Sequence, residues 1–110
     1  MIQHITPQQA FELISRGEVD VVDVREPHEW STGHLSGSRL VPLAQLRGSP
    51  KASLPKDGVL FICAAGVRSE TAARLAIGLG FKTVYNLRGG TRAWASARLP
   101  LETEAAVATG

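Results

Sequence analysis

Short β-branched and aliphatic runs alternate with helix-forming stretches along this chain. That alternation constrains the fold more than any other feature. Val19 to Val24 (VDVVDV), Arg39 to Val41, VLFI at Val59 to Ile62 and KTVYNL at Lys82 to Leu87 read as strands. Helix punctuation fills the gaps between them. In ITPQQAFELISRG, Thr6 can cap, Pro7 suits the first helical position and Gln9 completes a capping box. Ala10, Phe11, Leu13 and Ile14 form one apolar face, and Gly17 ends the helix. EPHEWSTGHL predicts a short helix with an acidic start, closed by Gly33. LAQLRGSPKASLPKDG reads as a short helix or irregular connection ending in an Asp57–Gly58 turn. SETAARLAIGLG predicts a helix capped by Ser69 and stopped near Gly80. RGGTRAWASA begins with a glycine turn and continues as a helix, and Ile2 to Ile5 adds a short edge strand. Alternation of this kind predicts a three-layer α/β domain with a mainly parallel central sheet flanked by helices. One domain is expected over residues 1–101. Residues 102–110, which lack aromatic anchors, are expected to be a flexible tail.

Composition narrows the function. The 110 residues suffice for a hydrophobic core without staples, and 44% apolar with 20% charged residues is ordinary for a globular protein. Net charge is +2 and no lysine or arginine run occurs, so neither nucleic acid nor a membrane surface is an expected partner. MIQHITPQQA has no basic region followed by an apolar run, and the longest apolar stretch is too short to cross a bilayer. The expected compartment is the cytoplasm. A single cysteine excludes an internal disulfide.

That cysteine, Cys63, follows VLFI and so stands on the rim of a parallel sheet where ligands bind. Ala64, Ala65, Gly66, Val67 and Arg68 then turn the chain into the next helix at Ser69. Gly66 permits positive φ, and the small alanines leave backbone N–H groups unshielded, so the loop can form an anion nest. The helix N-terminus and Arg68 add positive charge. All three favour thiolate over thiol, as a nucleophilic cysteine requires. The bland alternative is a small buried hydrophobe, the usual state of a lone cysteine. Cysteine phosphatases read C-x5-R-[ST], whereas this loop reads C-x4-R-S. The shorter ring has fewer inward amides and suits a single sulfur atom better than a tetrahedral phosphate.

VVDVREPHEWSTGHLSGS (Val21 to Ser38), CAAGVRS (Cys63 to Ser69) and NLRGGTRAW (Asn86 to Trp94) together resemble the rhodanese family of single-domain sulfurtransferases. Leu35 stands where the family usually has isoleucine, and Ser38 where it has alanine. The resemblance extends from Ile5 to Leu101. It implies a five-stranded sheet and sulfur transfer through a persulfide on Cys63, with no cofactor. The donor would be thiosulfate or a persulfide. The acceptor would be cyanide, glutathione or a thioredoxin-like protein. No second cysteine is present to resolve the persulfide internally, so the acceptor must come from outside. Two alternatives stand beside this reading. One is a small phosphatase or arsenate reductase, against which the loop length counts. The other is a non-catalytic sulfur-relay or interaction module.

The substrate- and anion-binding loop is taken as Ala64 to Ser69; in it Ser69 is assigned first to the helix cap and second to a hydrogen bond with the persulfide, and Arg68 is the leading candidate for attracting an anionic donor. Arg25 and Arg88 lie on the same rim and are secondary candidates. For Asp23 and Arg25 the favoured role is structural, with the aspartate holding neighbouring loops. Gly89 and Gly90 are expected to let the chain approach the cysteine loop closely. Trp30 and Trp94 are assigned to packing and His34 to a structural hydrogen bond. His4 and His28 are read as isolated, and with Cys63 they make no metal-ligand spacing.

Overall fold

The computed structural model describes residues 1–103. The expected edge strand is β1 (Ile2–Ile5), followed by α1 (Pro7–Ser15), β2 (Asp20–Asp23), α2 (Pro27–Trp30) and β3 (Arg39–Leu40). Then come α3 (Leu43–Gly48), α4 (Pro50–Ser53), β4 (Val59–Ile62), α5 (Val67–Gly78), β5 (Val84–Leu87) and α6 (Gly90–Ser96). The sheet has the order β1-β5-β4-β2-β3, and every pairing is parallel.

Alternate residues of the central strand β4 feed two separate cores. Val59, Phe61 and then Cys63 pack with Ala72, Ala73 and Ala76 of α5 and with Leu46 of α3. Leu60 and Ile62 pack on the other face with Ala10 of α1 and Trp94 of α6. A strand buried on both sides has no place for a polar alternation, which is why VLFI is uniformly apolar. The result is an α/β sandwich in three layers.

Local signals place the elements well. Thr6 accepts from the Gln9 amide at 3.2 Å while the Gln9 side chain receives the Thr6 N–H at 2.9 Å. Some expectations need correction. Phe11 is not part of the buried face of α1; it is 41% exposed and leans on Trp94 at 6.1 Å between ring centroids. β3 stops at Leu40, two residues before Pro42, which has no N–H to continue the ladder. Glu102, the first residue of the expected tail, pairs with His34 through two backbone hydrogen bonds of 2.9 and 2.8 Å. The remainder of that expected tail, 104–110, lies outside the described residues. Among the described residues no helix is long and apolar enough to cross a membrane.

Candidate active site

The carboxyl ends of β2, β4 and β5 are neighbours in the sheet, so the segments that follow them share one rim. Cys63 continues the alternation of β4 and directs its side chain to the α5 side. At 1% exposure it is as buried as the bland reading requires, yet its surroundings are polar. Gly66 donates its N–H to Sγ at 3.0 Å. It does so at φ +99°, in the left-handed region, as the residue preceding α5. A Cβ there would also stand 3.3 Å from the Gly89 nitrogen, so conformation and space both select glycine. Burial pushes the Cys63 thiol up. The N–H groups of Ser69, Ala65 and Gly66 pull it down, the Ser69 hydroxyl also stands within hydrogen-bond distance of the sulfur, and the balance lies below an ordinary thiol.

Ser69 does not cap the helix. α5 begins at Val67, so Ser69 is its third residue, fully buried, with Oγ 3.2 Å from Cys63 Sγ. Gly66 holds the cap position instead, with no side chain to cap the first turn. Ala65 and Val67 line the outside of the loop, Val67 prominently exposed, while Ala64 is half-buried.

The turn from β5 into α6 clamps the loop from the opposite side. Thr91 N–H donates to the Cys63 carbonyl at 2.8 Å and Arg92 N–H to the Ala64 carbonyl at 3.1 Å. A Cβ on Gly90 would collide with Cys63 O and with the Ala64 carbonyl group. The close approach expected of this glycine pair is therefore present at Gly90.

Three contributors escaped the sequence reading. Asn86, in β5, is buried and accepts the Ser69 hydroxyl on Oδ1 at 2.5 Å. Its Nδ2 faces Gly66 O at 3.3 Å and His4 Nδ1 at 3.1 Å. His4 is thus not isolated but joins the cysteine through Asn86 and Ser69. The signal for Asn86 was a lone amide inside an apolar strand, which needs buried partners. Glu29 is the third: both of its carboxylate oxygens receive Arg68, at 2.7 and 2.9 Å. Arg68 holds the Glu29 carboxyl down at about 2, from an ordinary 4.5. No spacing signal links positions 39 residues apart in the chain.

The arginine expectations change accordingly. Arg68 lies beside the loop, but its charge is shared with Glu29 rather than left for a ligand. Arg25 is 5% exposed and grips Asp23 at 2.8 to 3.1 Å, with further hydrogen bonds to the carbonyls of Gly33 and Glu29. These contacts tie the end of β2 to the α2 segment. Arg88 is exposed and donates to the His4 carbonyl at 3.5 Å. His34 stacks on Trp30 at 3.6 Å and bonds the Trp30 carbonyl through Nδ1, while Trp94 is buried and donates to Pro100 O. The two tryptophans pack and His34 makes a hydrogen bond to backbone, the roles expected of them.

Residues 6–97 match the family described as Rhodanese-like domain. The chain belongs to this rhodanese-like family. It is 40% identical over 101 residues to a thiosulfate sulfurtransferase GlpE of Ectopseudomonas mendocina, covering 92% of this chain and 91% of that one. It is 36% identical over 100 residues to a probable adenylyltransferase/sulfurtransferase MoeZ of Mycobacterium tuberculosis, where the match covers 87% of this chain and only 25% of the other. The rhodanese-like fold recurs in a rhodanese-related protein of Thermoplasma volcanium, with TM-score 0.81 and 30% identity over 91% of this chain and 97% of that one. It recurs also in a Rhodopseudomonas palustris protein described as a possible tyrosine phosphatase, with TM-score 0.80 and 32% identity over 92% and 85% of the two chains.

Proposed function

We propose that this protein is a sulfurtransferase that carries sulfane sulfur as a persulfide on Cys63. The observation that supports it most is the sulfur's setting: Sγ at the end of a central strand, receiving the Gly66 N–H at 3.0 Å where α5 begins. Relatives that bear the name thiosulfate sulfurtransferase point the same way. In the first step the Cys63 thiolate attacks the outer sulfur of thiosulfate. A new S–S bond forms, the old one breaks, and its electron pair leaves with sulfite. In the second step a thiolate or cyanide attacks the terminal sulfur and returns Cys63 to thiolate, a covalent two-step cycle. The amides of Ala65, Gly66 and Ser69 accommodate negative charge on sulfur in each state, without reorganising. An alkyl persulfide donor would follow the same course, with a thiolate leaving in place of sulfite. The acceptor in this reading is an external thiol such as glutathione or a thioredoxin-like protein, and the setting is the cytoplasm.

Intact mass after incubation with thiosulfate tests the reading. A gain of one sulfur is expected, removed by a thiol reductant and absent in Cys63→Ser. Turnover of an aryl phosphate, with no sulfur gained from thiosulfate or any persulfide, would replace it with the phosphatase reading. Sulfur accepted only from a protein donor, without turnover, would make the chain a relay module.

A further inference from the structure

The cysteine's hydrogen-bond partners can be assigned a direction by following them outward from a group that has no choice. Gly66 O only accepts, so the Asn86 atom 3.3 Å from it is the amide nitrogen. The two hydrogens of that nitrogen then serve Gly66 O and His4 Nδ1. The amide oxygen is left facing Ser69 Oγ at 2.5 Å, and it too only accepts. Ser69 has a single hydroxyl hydrogen, and Asn86 takes it. What Ser69 presents to Cys63 Sγ, 3.2 Å away, is therefore a lone pair.

We propose that Asn86 is a positioning residue for the cysteine: by claiming the Ser69 hydroxyl hydrogen it makes resting Cys63 a donor to Ser69 instead of a recipient. A thiol fits this chain with every group satisfied. A thiolate does not, because an oxygen lone pair would face it until the hydroxyl rotates away from Asn86. That rotation leaves a buried amide oxygen without a donor, which is unfavourable. The loop amides draw the proton off Cys63, and Asn86 acts as the brake. The same amide also holds the Gly66 carbonyl, and Gly66 N–H holds the sulfur, so one side chain sets both the loop's shape and the serine's polarity.

Charged groups around the sulfur come from several elements. Arg68 of α5 acts on it directly and is paired with Glu29 of α2. The Asp23–Arg25 pair at the end of β2 neutralises itself. His4 of β1 connects through Asn86, while Arg88 and Arg92 near α6 are exposed. None of them competes for the Ser69 hydroxyl hydrogen.

The inference rests on Cys63 being the transferring nucleophile, but its test reads the thiol itself and needs no sulfur donor. Thiolate ultraviolet absorbance is titrated in the original protein, Ser69→Ala, Asn86→Asp and the double variant, with Cys63→Ser as blank. Ser69→Ala is expected to change the thiolate fraction at a given pH by less than about threefold, since Ser69 is not a committed donor to the thiolate. Asn86→Asp binds the hydroxyl more firmly and adds negative charge, and should lower that fraction at least about tenfold. In the Ser69→Ala background this loss should shrink at least about threefold. A tenfold loss in Ser69→Ala alone would show the hydroxyl already serving the thiolate and would overturn the proposal. So would an Asn86→Asp effect of the same size in both backgrounds. Should Asn86→Asp fail to fold, the Ser69→Ala arm decides by itself. A chain that passes this test but never gains sulfur from any donor would refute the transfer reading and leave the hydrogen-bond assignment standing.

Discussion

Replacing Gly90 by alanine should damage this protein in a way that can be worked from its geometry. Gly90 sits at φ +61°, in the left-handed region, which costs an L-residue about 1 kcal/mol. The added Cβ would also run into Cys63 O and the Ala64 carbonyl group. Those atoms are backbone, and they are held from this same turn by Thr91 N–H at 2.8 Å and Arg92 N–H at 3.1 Å. They cannot swing aside as the end of a side chain could. Overpacking of this kind costs about 1–3 kcal/mol, so the total is about 3 kcal/mol. For a domain of this size that lowers Tm by roughly 15 °C. Gly78 supplies the control. It lies in α5 with nothing within 4 Å of a built Cβ, so Gly78→Ala should raise stability by about 0.5–1 kcal/mol. Thermal denaturation followed by circular dichroism reads both. The Gly90 variant should also lose the lowered thiol ionisation, because the loop amides move off the sulfur. A Gly90→Ala protein with unchanged Tm and unchanged thiol titration would refute the claim that this turn clamps the cysteine loop.

Other expectations follow from the same contacts. Asp23→Asn leaves the buried Arg25 guanidinium without its counter-charge and should cost about 3–5 kcal/mol by urea denaturation; a loss under 1 kcal/mol would contradict the structural role given to the pair. Glu29 has its carboxyl lowered from 4.5 to about 2, so its contribution is present above pH 4.5 and is lost as pH falls toward 2. Because the pair with Arg68 is part-exposed, that contribution is about 1 kcal/mol, and Glu29→Gln should lack this segment of the acid-unfolding curve. The Cys63 thiol should ionise below the ~8.5 of a free cysteine when titrated against Cys63→Ser; a normal or raised midpoint would count against the amide cradle.

Much of the architecture was legible because it rests on local rules. Thr6, Pro7 and Gln9 announce α1 through interactions within one turn. VLFI announces a doubly buried strand because no polar residue can be tolerated on either face. Cys63 and Gly66 were legible as a site for the same reason: strand, turn and helix start are contiguous, so the amide that meets the sulfur comes from three residues on. Ser69 reads first as a helix cap and second as a hydrogen-bond partner of the sulfur, and the structure has the second contact. Its spacing suits a cap equally well, and only the early helix start at Val67 turned it toward the sulfur.

The chain's order of residues by itself determined the parallel α/β sandwich, the place of its one thiol on the sheet rim, and the length of the loop from that thiol to the next helix. Each depends on neighbours within about one turn or on alternation along a strand. Tertiary structure alone decided the partners. Glu29 takes Arg68 from 39 residues away, and Asn86 takes the Ser69 hydroxyl from 17. Those pairings exist because parallel strands bring the ends of β2, β4 and β5 to one rim, and side chains that meet across a rim carry no spacing rule that a linear reading can use.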